Sequence, residues 1–321
     1  MRNLIATIVF VAGSCFAASA QTPGTDIPVN VTEANVPLLK LNNGLTMPQF
    51  GLGTFCLPEG EVSKNAVAEA LKKGYRHIDT AHAYGNERSV GRAVKESGIP
   101  REEIWITSKL WPNEYGEGKT LPAIDKMLRR LDVDYIDLVY LHQPVGDYAG
   151  AWKELEKAIG QGKVRAIGIS NFDFNDAMFS AIVDSMKVKP TTMQIECHPY
   201  AQRKHWQEKL KANGIVLESW FPLGGRDSKG ELLRDIVINR IARAHGKTAA
   251  QVIIRWHIQE GFSVIPGTDN PAYIEENIHV FDFKLNEEEM AALRALDSER
   301  RYFTKTYDEI SKWFSGYEIW D

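Results

Sequence analysis

The stretch Gly74-Tyr75-Arg76-His77-Ile78-Asp79-Thr80-Ala81-His82-Ala83-Tyr84-Gly85-Asn86-Glu87 decides the fold of this chain. Its short apolar run over 75–79 reads as a strand, and the strand ends on a carboxylate, Asp79. A brief loop carries Tyr84, and an amphipathic pattern over 86–97 reads as a helix. The same strand–loop–helix order recurs on both sides of it. Strands are expected at 48–53, 75–79, 104–109, 136–141, 164–169, 191–196, 215–219 and 262–265. Helical patterns lie near 61–73, 86–97, 119–131, 150–161, 173–184, 203–213, 234–245 and 247–259, with two more near 271–278 and 286–296. Many strands are unbroken apolar runs, as expected when both faces are buried.

Eight strand–helix units in about 250 residues match an α/β fold of the closed (β/α)8 TIM-barrel type. The competing architecture is a doubly wound open sheet. It usually carries G-x-G-x-x-G after its first strand, whereas here Gly51-Leu52-Gly53 is followed by Thr54-Phe55-Cys56. Ahead of the barrel, two alternating runs flank Asn43-Gly44, a signal for a hairpin with a type I′ turn. No linker or low-complexity segment interrupts residues 36–321, so they read as a single domain.

The first twenty residues have a different character. Arg2 is the only charge before Asp26, an apolar run extends from Leu4 to Phe16, and Ala18-Ser19-Ala20 precedes Gln21. This is the anatomy of a secretory signal peptide cleaved after Ala20, which implies export to the periplasm or medium. An alternative is a lipid anchor at Cys15, because Ala12-Gly13-Ser14-Cys15 loosely resembles a bacterial lipobox. Without that lipid, no membrane association is expected. Residues 21–35 read as a flexible leader.

Bulk composition narrows the function classes. Lys and Arg number 38 against 42 Asp and Glu, a net charge of -4, and no basic patch suggests nucleic acid. Three cysteines exclude a disulfide scaffold. Cys56 and Cys197 read as unpaired thiols. The eight histidines show no H-x-x-x-H spacing, so no metal is expected. A monomer is the expected assembly.

Catalytic residues of such barrels sit at the C-terminal ends of the strands. Asp79 ends the second strand, with Tyr84 in the loop behind it; Lys109 ends the third; His142 ends the fourth. Singly, a strand-end Asp is usually a helix cap, a Tyr a packing ring and a Lys a solvated charge. Together they form a proton-donor system. A tyrosine of pKa about 10 is a poor acid at neutral pH. A neighbouring Lys109 ammonium lowers that pKa, Asp79 holds the ammonium, and His142 orients a carbonyl oxygen or shares in proton transfer.

The opening stretch closely resembles the aldo-keto reductase signature. The resemblance continues through Ser108-Lys109-Leu110-Trp111-Pro112, Leu141-His142-Gln143-Pro144, Gly168-Ile169-Ser170-Asn171-Phe172 and Gln194-Ile195-Glu196-Cys197-His198-Pro199-Tyr200, and spans about residues 37–297. It points to the bacterial branch resembling diketogulonate reductase. It implies the barrel, a nicotinamide cofactor, and NAD(P)H-dependent reduction of aldehydes, ketones or keto-sugars, with Tyr84 giving the proton and Asp79, Lys109 and His142 completing a tetrad. It further implies that Ser170, Asn171 and Gln194 hold the nicotinamide carboxamide and that Trp220 stacks on the ring. Leu223 and Gly224 open a loop across the pyrophosphate, and Thr54 is a further cofactor-binding position. The substrate wall falls to Phe55, Trp111 and His142. The aromatic tail, Tyr302, Phe303, Tyr307, Trp313, Phe314, Tyr317 and Trp320, either closes over the barrel mouth or docks outside it.

The adenosine end departs from that pattern. The family usually reads I-P-K-S-x-x-x-x-R-x-x-E-N, and here Ile265-Pro266-Gly267-Thr268 leads to Tyr273, Glu276 and Asn277. Gly267 and Tyr273 replace the lysine and arginine that would grip the 2′-phosphate of NADP(H), and Asp269 adds negative charge. Thr268 is left to bond a phosphate or hydroxyl, Tyr273 to stack on adenine, and Arg226 to supply charge from the preceding loop. The expectation is NADP(H) with a weakened preference and NAD(H) as the alternative. The rival to an enzyme is an exported, non-catalytic barrel that binds the cofactor as a sensor or regulatory subunit.

Overall fold

The structure, a computed structural model, describes residues 36–316 and Ile319. The signal peptide, the leader and Cys15, as well as Tyr317 and Trp320 of the tail, lie outside the described residues.

The chain opens with an antiparallel hairpin of β1 (Leu38–Lys40) and β2 (Thr46–Pro48). The turn differs from the expected type I′. Leu41 N donates to Leu45 O at 2.8 Å and Gly44 N to Leu41 O at 3.1 Å, with Gly44 alone at positive φ, +90°. This is a three-residue loop with a left-handed third residue. Tertiary contacts account for the change: Asn42 and Asn43 donate through Nδ2 to Pro190 O (2.8 Å) and Arg165 O (3.3 Å), which ties the turn to the barrel floor. Leu41 and Met47 join Trp105, Leu138, Tyr140 and Ala166 to plug that end.

Eight parallel strands follow in chain order: β3 (Leu52–Gly53), β4 (His77–Asp79), β5 (Trp105–Leu110), β6 (Ile136–Leu141), β7 (Val164–Ser170), β8 (Thr192–Glu196), β9 (Val216–Trp220) and β10 (Ser263–Val264). The sheet closes where Phe50 bridges Val264 in parallel, with Gly51 N donating to Val264 O at 3.0 Å. The strand expected over 48–53 is therefore divided. Pro48 belongs to the hairpin, Phe50 makes the closing bridge, and only Leu52–Gly53 pairs regularly with β4.

Helices from Glu61–Lys72 to Ala249–Glu260 surround the sheet, burying one stripe each against it. The tail forms a last helix, Tyr307–Ser315, capped by Thr306 and Glu309, whose backbone and side-chain groups bond reciprocally. Its Ile310 and Phe314 pack on Trp111 and Val145, and Tyr307 Oη donates to Pro144 O at 3.2 Å. The tail thus closes over the mouth formed by the loops after β5 and β6. Among the described residues, no helix is long and apolar enough to cross a membrane.

Candidate active site

β4, β5 and β6 deliver the expected tetrad to one place. Lys109, with no exposed surface, donates through Nζ to Asp79 Oδ1 at 2.5 Å, to Thr80 O at 3.0 Å and to Tyr84 Oη at 3.1 Å. All three ammonium hydrogens are accounted for. Burial works against the ammonium, but the Asp79 carboxylate and the Tyr84 oxygen more than compensate, and its pKa stands above the ordinary lysine value. Burial also raises the Asp79 carboxyl; Lys109 opposes this and Glu218 adds to it.

Tyr84 departs from expectation. Lys109 does favour its phenolate, but burial outweighs the ammonium and the pKa is pushed up to about 12. Removing a phenolate from water costs more than one shared ammonium returns. Tyr84 is therefore held as the neutral, proton-carrying phenol. His142 is driven the other way: burial, followed by the charge of Lys109, holds its pKa well below the usual range. A neutral imidazole can donate one N–H to a carbonyl oxygen but is not a general acid, which decides between the two roles foreseen for it. His142 Nδ1 is buried with no protein partner.

The strand ends of β7, β8 and β9 form the opposite wall. Trp220 Nε1 donates to Asn171 Oδ1 at 3.0 Å, and Asn171 Nδ2 donates to His142 O (3.0 Å) and Ser170 Oγ (3.2 Å). Asn171, in a left-handed conformation at φ +64°, thus fixes both the Trp220 ring and the His142 backbone. Gln194 donates through Nε2 to Asp79 Oδ2 at 2.8 Å and to Glu218 Oε1 at 2.7 Å. Its amide hydrogens are spent on carboxylates, so a bond to a carboxamide must come through Oε1.

Of the substrate-wall residues, Trp111 is buried between His142 (centroids 5.1 Å apart) and Phe314 (4.8 Å), while Phe55 is 51% exposed with its ring 5.1 Å from Tyr84. Leu223 and Gly224 lie on the loop after β9, where Gly224 is buried and Arg226 exposed. Thr54 directly follows β3. It is fully buried, and its hydroxyl and N–H both donate to Asp79 O, at 3.0 and 2.9 Å. These bonds brace the end of β4.

At the adenosine end, Tyr273 is 55% exposed and Asn277 buried, both on the helix Pro271–Ile278. Thr268 Oγ1 accepts from Asn270 N at 3.1 Å, and Glu276 accepts from Thr248 Oγ1 at 2.7 Å. Gly267 is exposed but hemmed in: a Cβ there would stand 2.8 Å from Gly53 O.

Two functional neighbours escaped sequence reasoning. Glu218 is buried in the middle of β9, and its one signal was a charge inside an apolar strand. Glu196, at the end of β8, accepts from Tyr302 N (2.6 Å) and Arg301 Nε (3.1 Å), pinning the tail. That tail brings Phe303 to 6.0 Å from Trp220.

A family model described as the Aldo/keto reductase family matches residues 49–298. The chain is 42% identical over 268 residues to a 9,11-endoperoxide prostaglandin H2 reductase of Trypanosoma cruzi, covering 83% of this chain and 94% of that one. It is 43% identical over 264 residues to a glyoxal reductase of Bacillus subtilis, covering 82% and 94%. Among solved structures, an aldo-keto reductase of Bombyx mori in complex with NADP is similar, with a TM-score of 0.79 and 30% identity over 88% of this chain and 98% of that one.

Proposed function

The chain belongs to the aldo/keto reductase family and is an NAD(P)H-dependent oxidoreductase of carbonyl groups; from that premise we propose that it reduces small aldehydes, ketones or keto-sugars with Tyr84 as the proton donor. The observation that carries this is the buried chain Asp79–Lys109–Tyr84, joined by contacts of 2.5 and 3.1 Å. When bound, the nicotinamide supplies the hydride. The protein's residues do the rest. Tyr84 gives its phenolic proton to the carbonyl oxygen, Lys109 steadies the phenolate left behind, and Asp79 keeps Lys109 in place. His142 donates an N–H to the same oxygen, and Trp111, Phe55 and the tail helix exclude water. The residues present fit a nicotinamide: Ser170, Asn171 and Gln194 converge beside a half-buried Trp220 whose orientation is already fixed. The non-catalytic alternative has no observation in its favour, since all four tetrad members are in contact range. We read residues 36–321 as a single monomeric unit.

The cofactor is proposed to be NADP(H) held with reduced preference, NAD(H) being accepted. Each lost charge-assisted contact to the 2′-phosphate is worth about 1.5–3 kcal/mol, roughly ten-fold or more in affinity. Gly267 supports the reading, because a side chain there meets the Gly53 carbonyl. Titration with NADPH and NADH followed by turnover on a carbonyl panel tests it. The two cofactors are expected to differ in Kd by less than about a hundred-fold, and Gly267→Lys to lower stability without restoring discrimination. A gap well beyond that, or turnover on no carbonyl, refutes the respective claim.

We further propose that the protein is exported, with its signal peptide removed after Ala20. N-terminal sequencing of protein recovered from cells is expected to begin at Gln21. A lipid-modified start at Cys15 supports the anchored alternative, and a start at Met1 overturns both.

A further inference from the structure

Below the tetrad, the barrel holds a second carboxylate that the mechanism does not use. Glu218 has no exposed surface. Its Oε1 accepts from Tyr140 Oη at 3.0 Å and from Gln194 Nε2 at 2.7 Å, and its Oε2 accepts from Ser263 Oγ at 2.7 Å. None of these donors is a cation. His77 Nε2 stands 3.9 Å away, but it faces Thr107 Oγ1 at 3.0 Å, and burial lowers the His77 pKa to about 4. Asp137 on β6 is matched separately by Arg101 and Arg165, both at 2.7 Å. The same Gln194 nitrogen that binds Glu218 also binds Asp79, so one amide ties the two carboxylates together. Among the described residues, Lys109 is the one ammonium in contact with this set, and it also holds Tyr84. The other titratable groups about Tyr84 are His142, 5.6 Å away between ring centroids, and the Cys56 thiol.

We propose that Glu218 is a positioning residue of the proton relay: through Gln194 it fixes Asp79 and keeps the buried cluster one negative charge in excess, which holds Tyr84 in its proton-giving form. Three hydrogen bonds from neutral donors hold Glu218 in place. The excess charge opposes a phenolate at Tyr84, whereas a lone Lys109–Asp79 pair would leave the phenolate less opposed. The device suits an enzyme run toward reduction. It rests on the reading of Tyr84 as proton donor.

Glu218→Gln keeps the shape and most of the bonds and removes the charge. In pH profiles of kcat, both the alkaline fall of carbonyl reduction and the alkaline rise of alcohol oxidation are expected to move to lower pH, by about ten-fold in proton concentration. Ser263→Ala removes a hydrogen bond but not the charge and is expected to leave both limbs in place. A lower kcat with unmoved limbs in Glu218→Gln, or equal movement in Ser263→Ala, overturns the proposal. A second readout needs neither cofactor nor substrate. Tyrosinate absorbance of wild type minus that of Tyr84→Phe follows Tyr84 alone, and Tyr84 is expected to ionise above an ordinary tyrosine and at lower pH in Glu218→Gln. Ionisation of wild-type Tyr84 at or below about pH 10, the ordinary tyrosine value, overturns the proposal even should Glu218→Gln fail to fold. Absence of wild-type turnover on every carbonyl would instead count against the proposed reaction.

Discussion

Tyr84→Phe is expected to lower kcat for carbonyl reduction by about 10²–10⁴-fold, the range for losing a positioned general acid, while cofactor affinity stays nearly unchanged. The ring remains and so does its packing against Phe55 and His142. What disappears is the one hydroxyl that Lys109 holds at 3.1 Å. His142 cannot substitute, because burial keeps its imidazole neutral. Steady-state turnover on a reactive aldehyde, beside a tryptophan-fluorescence titration with NADPH, separates the two effects. Trp220 is the natural reporter, its indole N–H already bonded to Asn171. Full turnover in this variant would remove Tyr84 from the mechanism.

Lys109→Met should cost both activity and stability. Its ammonium is fully buried and bonded to Asp79, Thr80 and Tyr84. Removing one partner of a buried pair leaves an uncompensated charge, at about 3–5 kcal/mol. Here the cost falls at the upper end, since Asp79 would face Glu218 across Gln194 with no cation between them. Chemical denaturation measures it. The double variant Asp79→Asn with Lys109→Met, which removes both charges, is expected to regain much of the stability and none of the turnover. By contrast, Lys95→Met breaks a pair with Asp132 that is equally short but exposed, and the denaturation midpoint should hardly move. If Lys109→Met proved as stable as wild type, the ion pair would not be the structural centre of the site.

Much of this was legible in the sequence. The strand-end residues Asp79, Lys109 and His142 and the loop residue Tyr84 could be found because a parallel barrel turns the ends of neighbouring strands into neighbours in space. Ser170, Asn171, Gln194 and Trp220 followed from the family motifs, and the structure gathers them on one wall. Glu218 was missed because a carboxylate in mid-strand has no local motif, and its hydrogen-bond partners come from β6, β8 and β10. The Asn43-Gly44 turn was misread because Asn42 and Asn43 are engaged by barrel carbonyls far along the chain.

The chain's own sequence determined the eight strand–helix units, the order of the tetrad along them and the loss of two cations at Gly267 and Tyr273. These are local facts, set by periodicity, residue type and short motifs. Only the tertiary structure decided which way the groups titrate. Lys109 beside Tyr84 argues for an acidic phenol, yet desolvation outweighs it and the phenol keeps its proton. Desolvation depends on everything packed around a group, and electrostatic coupling on distances between residues such as Gln194 and Asp79, 115 positions apart. Neither quantity exists until the barrel closes.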